Sequence, residues 1–209
     1  MAHVGTKGVP RADREEQILA VAGEVFGSEG FAATSVAEIA QRAGISKPLV
    51  YQYFGSKEGL FTACLHRAGA ILAEEIERIA RGDSVGIERA LLTLDGIFRT
   101  LGDRPWTWRL FFDPTIPRNE AIAREIGFYT DRITVLAEDG VGELMALVGN
   151  DDPGDLSAMV RVWMSIVDAL VGWWLDHPDQ TAAQMSERCV RLFTAAFSAQ
   201  VPALSGLLG

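Results

Sequence analysis

Apolar side chains recur at three- and four-residue intervals along most of the chain, and no stretch alternates with period two. That pattern predicts helices and no strands. Ile18, Ala22, Val25 and Phe26 share one face of a helix predicted over residues 11–26, which Gly27 and Gly30 are expected to stop. Val36, Ile39, Ala40 and Ala43 form the stripe of a second helix over 35–43, and Ser35 and Glu38 have the spacing of a capping box. Gly44 stands where a sharp turn needs a residue without Cβ. Ser46 is a good N-cap for a third helix over 47–54, with Pro48 in its first turn and Val50 and Phe54 facing inward. After the break at Gly55 and Ser56, a fourth helix over 57–81 would run about 37 Å at 1.5 Å per residue. Its stripe is Leu60, Phe61, Cys64, Leu65, Ala68, Leu72, Ile76 and Ile79. Further helices are predicted near 85–101, 106–112, 119–148, 156–176 and 181–201, the third of these kinked or split at 138–142.

Of 209 residues, 48% are hydrophobic and 22% charged, enough apolar material for a packed core. Two cysteines, Cys64 and Cys189, make no disulfide framework and read as buried thiols in a reducing compartment. The longest apolar run, 162–175, holds Asp168 and falls short of the roughly 18–20 residues of a membrane span. Residues 1–16 lack the apolar centre of a signal peptide. A cytoplasmic protein without a membrane partner is expected.

Charge divides the chain. The formal net charge is -9, yet residues 1–67 hold seven basic and seven acidic side chains, so the whole excess lies beyond Arg67. Between Glu38 and Glu58 there is no acid, only Arg42, Lys47 and Lys57. A global excess of acid disfavours nucleic acid, but phosphate binding depends on local cations.

Two short helices joined through Ala43, Gly44 and Ile45, the second basic and aromatic, make a helix-turn-helix over 35–54. The second helix would enter a DNA major groove, which admits one α-helix. Its N-terminal end, with Ser46 and Lys47, suits phosphate. Lys57 adds a cation, Tyr51 and Tyr53 offer hydroxyls to phosphates, Gln52 can pair with adenine, and Pro48 or Leu49 can touch a thymine methyl. Lys7, Arg11 and Arg14 read as a basic arm on DNA or as a solvated tail.

Residues 12–72 resemble the DNA-binding domain of the TetR family of transcriptional regulators. The resemblance is carried by Ile18, Ala22, Phe26, Gly30, Thr34, Ser35, Val36, Ile39, Ala40, Ala43 to Lys47, Tyr51, Phe54, Ser56, Lys57, Glu58 and Leu60. It implies a flexible basic arm over 1–11, a DNA-binding domain over 12–72, and a helical ligand-binding and dimerisation domain over 73–209. It also implies phosphate contacts by Thr34, Lys47, Tyr51, Tyr53 and Lys57, and base contacts at 46–49 and 52. Leu49 and Gln52 depart from the family's commoner residues, which bears on the DNA sequence read.

TetR-like bodies enclose a small-molecule pocket and dimerise through their last two helices. Here the corresponding residues are about 155–201, with small Ala169, Gly172, Ala195 and Ala196. Candidate lining residues are Trp106, Arg109, Phe112, Phe128, Trp163 and Asp168. Arg109 and Asp168 either pair internally or meet the ligand, since a charge in apolar surroundings needs a partner. The expected partners are double-stranded DNA with a palindromic operator, a second copy of the chain and a small-molecule inducer. No metal or other cofactor is expected. An enzyme is disfavoured: there is no His-Glu-x-x-His, phosphate-cradling glycine loop or cysteine cluster. An activator of the same fold, and a metabolite-binding protein with lost DNA binding, are the alternatives.

Overall fold

The computed structural model describes residues 10–102 and 104–197, with backbone alone at 105 and 197. The expected basic arm with Lys7, and residues 198–201 of the last predicted helix, lie outside them. Among the described residues the regular structure is helical: α1 (Arg11–Glu29), α2 (Val36–Arg42), α3 (Lys47–Phe54), α4 (Lys57–Ala80), α5 (Gly86–Leu101), a 3-10 turn (Pro105–Trp108), α6 (Arg109–Phe112), α7 (Glu120–Ala146), α8 (Pro153–Leu175) and α9 (Ala182–Phe197).

Several starts and stops have identifiable side-chain causes. Ser35, Ser46 and Ser56 each accept a hydrogen bond at a helix start, from the N–H of Ala37, Leu49 and Gly59. The capping box at Ser35 is half formed, because Glu38 pairs with Arg42 at 3.9 Å. Two expectations need correction. α1 runs through Gly27 and ends at Glu29, with Gly30 at φ +81° as its C-cap. α7 is one helix through 138–142, since two glycines cost about 1 kcal/mol each in propensity and a long helix absorbs that.

The described residues pack as two compact units, 10–74 with 104–135, and 75–102 with 136–197. This differs from a division at residue 72. The reason is burial: Leu110 and Ile122 join Ile18, Phe26, Ile39, Val50, Leu60 and Leu65 in one core. At its centre the Phe61 ring meets Phe26 and Phe31 edge-on, at 4.9 and 5.2 Å.

In the second unit Phe98 meets Trp174 edge-on at 5.3 Å, and Asp95 accepts a 2.8 Å hydrogen bond from Ser186. Ala137, Val141, Met145 and Val160 form a separate cluster against which Leu156, Trp163 and Met164 pack.

One expectation about length is overturned. Pro153 opens α8 behind an Asp152 cap, so the helix reaches 23 residues. By length and composition it could cross a membrane, with mean hydropathy 1.4 over its most apolar 18 residues, and 17% of those residues are buried.

Both cysteines are buried, as expected. Burial pushes the Cys64 thiol up to about 12 and the Cys189 thiol to about 11, with Arg67 and Arg188 opposing weakly. Thiolate is the reactive form. Iodoacetamide at pH 8 is therefore expected to leave both unmodified in the native chain and to alkylate both in denaturant, as counted by intact mass.

Candidate nucleic-acid interface

α3 has eight residues, of which Val50 is the one fully buried. Lys47, Pro48, Tyr51 and Gln52 are exposed and, at spacings of one and four, form a continuous outer face. Ser46, also exposed, caps this helix with its hydroxyl oxygen 3.4 Å from the Leu49 nitrogen. Gly44 turns into it at φ +65°, a backbone region that L side chains rarely adopt. The Lys47 ammonium lies 5.8 Å from the centroid of the Tyr51 ring, so cation and phenol share one edge of the face.

The remaining sequence-derived contacts fare unequally. Leu49 is half-buried. Tyr53 is half-buried against the core, and the Arg11 guanidinium lies 5.1 Å from its ring centroid. Arg11 is thus the first residue of α1, not part of an arm. Lys57 is half-buried, 4.5 Å from the Phe31 ring centroid and 3.4 Å from the Ala32 carbonyl oxygen, bracing the turn after α1. Thr34 does not face outward at all. It is 3% exposed, and its hydroxyl donates to the Gly30 carbonyl at 2.7 Å, so its side chain offers nothing to a phosphate. Arg42 is held by Glu24 at 2.5 Å, which neutralises part of the acid-free stretch.

A clamp missed by the sequence reading sits behind this surface. Asp113 accepts from the N–H of Phe31, and from the N–H and hydroxyl of Thr115 at 2.8 and 2.7 Å. The Thr115 oxygen accepts from the Ala32 N–H at 3.0 Å. Trp106 lies on α1 against Gly23 and Gly27, whose missing side chains make room for the indole. Residues 106–115 are thereby fastened to α1 and to the turn that leads to α2. Burial pushes the Asp113 carboxyl up, but the three hydrogen-bond donors outweigh it and hold it below the ordinary aspartate range. A depressed carboxyl contributes stability above its unfolded pKa, near 4, and loses it as pH falls through the lower folded value. Thermal stability below about pH 4 is expected to fall more steeply in the wild type than in Asp113→Asn, as read by melting curves across pH.

Trp106 therefore packs on α1, and Trp163 packs on the second unit's cluster. Arg109 and Asp168 are exposed, while Phe112 and Phe128 are 58% and 55% exposed. Trp106, Arg109, Phe112 and Phe128 belong to one packing unit, and Trp163 and Asp168 to the other. Among the described residues no group of three His, Cys, Asp or Glu could hold a metal ion.

The family signature described as "Bacterial regulatory proteins, tetR family" matches residues 18–64, which include α2, α3 and their turn. An uncharacterised HTH-type transcriptional regulator of Mycobacterium tuberculosis, MT1294, is 30% identical over 186 residues, 88% of this chain and 87% of that protein. The chain belongs to the TetR family. The relatives it matches are themselves named as transcriptional regulators. The HTH-type transcriptional activator FasR of Mycolicibacterium smegmatis is 31% identical over 60% of this chain and 58% of its own length. The HTH-type transcriptional repressor BdcR of Escherichia coli is 40% identical over 36% of this chain and 39% of its own. The chain thus spans well under two thirds of the length of these two relatives. The solved structure of FadR from Bacillus subtilis in complex with stearoyl-CoA superposes with a TM-score of 0.69 over 85% of this chain and 96% of that one, at 17% identity. That likeness is one of fold.

Proposed function

We propose that this TetR-family protein is a dimeric, ligand-responsive repressor that occupies a palindromic operator and is released by a small molecule. The outward face of α3 carries the reading. Lys47 and the helix N-terminus meet phosphate, Tyr51 donates its hydroxyl to another, Gln52 pairs with an adenine edge, and Pro48 or Leu49 touches a thymine methyl. Ser46 and the half-buried Tyr53 and Lys57 flank that face as secondary contacts. Repression follows when the bound dimer covers a promoter.

The second copy is supported by α8. Ala158, Val162, Ser165 and Ala169 are exposed on it at spacings of four, three and four, and a side chain built at Gly172 would meet nothing within 4 Å. Such a stripe suits close approach of another helix. A bilayer fits less well, because Arg161 and Asp168 would each cost about 2.5–3.5 kcal/mol near its centre. We take α8 and α9 as the homodimer face and the cytoplasm, at the nucleoid, as the place of action.

Paired recognition helices must lie about 34–36 Å apart to reach successive major grooves. A ligand that favours a body shape with another separation weakens binding by its differential affinity for the two shapes. Arg109, Phe112 and Phe128, exposed within the first packing unit, are the side chains we assign to ligand contact. FasR, an activator, favours a second reading in which the same bound dimer sits upstream of a promoter and assists it.

The test is retardation of genomic DNA fragments by the purified chain, with and without stearoyl-CoA as the probe. A retarded complex with two protomers is expected, and its dispersal by the probe would place acyl-CoA esters among the ligands. No retarded fragment at low salt, with or without the probe, sinks the proposal. Retention of the complex in the probe's presence rejects this ligand class alone.

A further inference from the structure

The last turn of α2 releases three carbonyls that are satisfied locally: Ile39 accepts from Ala43, Ala40 from Ile45 and Gln41 from Gly44. The carbonyl of Ala43, the C-cap residue, is met from another helix. The Gln17 side-chain nitrogen of α1 donates to it at 2.9 Å, across 26 residues of sequence. Gln17 is itself held, because its oxygen accepts from the Arg14 guanidinium at 2.7 Å, and Arg14 is 7% exposed. A buried cation, an amide and a backbone carbonyl thus form one polar chain from α1 to the residue before Gly44.

That residue is the lead-in to α3. Val50 is buried and Tyr53 and Phe54 are half-buried against the core, so apolar packing holds the inner face of the eight-residue helix towards its C-terminal half, and the polar latch fixes the turn at its N-terminal end. Its far end is braced by α1 as well, through Arg11 over the Tyr53 ring at 5.1 Å. We infer that Gln17, itself no contact with DNA, is a positioning residue that sets where the recognition helix lies in the groove. Base readout requires hydrogen bonds held within 2.7–3.2 Å, whereas attraction to phosphates falls off slowly with distance. Freeing the latch therefore erodes recognition of a specific site while leaving general DNA affinity in place.

The inference rests on the DNA-binding reading, and its test separates the two. Gln17→Ala removes both hydrogen bonds; Gln17→Glu keeps the partner for Arg14 but cannot donate to the Ala43 carbonyl. Affinities of the full chain are measured for a duplex selected by the wild type and for a scrambled duplex, across a salt series. Both variants are expected to bind the selected duplex about 30-fold more weakly, since a hydrogen bond contributes on the order of 1 kcal/mol in each of two protomers. Their affinity for the scrambled duplex stays within about twofold of wild type, and their salt slope is unchanged. If the wild type distinguishes the duplexes and either variant matches it within twofold, the latch is wrong. It is equally wrong if both affinities fall together, because that signals lost fold or charge. If the wild type binds neither duplex, the DNA-binding reading itself has failed.

Discussion

Gly27→Ala lowers thermal stability, whereas Gly127→Ala raises it. Both glycines lie inside helices, where alanine is intrinsically better by about 1 kcal/mol. Their surroundings reverse the sign at one of them. A Cβ at Gly27 would stand 2.6 Å from a Trp106 ring carbon and 2.6 Å from the Trp106 carbonyl oxygen, while one at Gly127 meets nothing within 4 Å. The ring could tilt, but the carbonyl belongs to a backbone segment that Asp113 and Thr115 fasten to the same turn. Overpacking of this kind costs about 1–3 kcal/mol. Net of the helix-propensity gain the cost at Gly27 is up to about 2 kcal/mol, so at about 2–4 °C per kcal/mol for a chain of this size Gly27→Ala is expected to melt up to about 8 °C lower, and Gly127→Ala about 1–4 °C higher. Differential scanning calorimetry of the two variants beside wild type decides it. Equal small gains in both would mean that Trp106 does not rest on α1.

The double substitution Lys47→Ala, Tyr51→Ala has the opposite profile, with DNA binding lost and the fold kept. Both side chains are exposed, Tyr51 at 38%, so removing them leaves no cavity. On DNA each is assigned a phosphate, and charge-assisted contacts are worth about 1.5–3 kcal/mol each. Counted twice in a dimer, the loss is expected to exceed about 100-fold in operator affinity. The slope of log affinity against log salt should shrink by about 2, one cation per protomer. Melting within about 2 °C of wild type accompanies this. Unchanged affinity would move the interface away from the outer face of α3.

The same contrast between inward and outward residues explains what could be read without coordinates. The recognition helix was legible to the residue, because Ser46, Pro48 and Gly55 act locally on the backbone and Val50 marks the buried side. Gly27 reads as a stop in the sequence because its role depends on Trp106, a partner far along the chain. Family resemblance alone points Thr34 at DNA, whereas its hydroxyl turns back to Gly30, a local bond that its position near the α2 cap allows. Trp106 reads as a pocket residue because an indole suits a pocket and a packing face equally. Asp113, Thr115 and Gln17 carried no periodic signal, since each acts through one long-range hydrogen bond to backbone. Short-range chemistry is written in neighbouring letters; a clamp between distant segments is not.

The central claim is that two copies of α3 read one duplex. Selection of bound DNA from a random double-stranded pool by the purified full chain, followed by sequencing, tests it most directly. The account predicts enrichment of an inverted repeat whose half-sites are about one helical turn, or a multiple of it, apart. A pool that stays random through successive rounds at low salt, or that converges on an unrepeated single site, would contradict it.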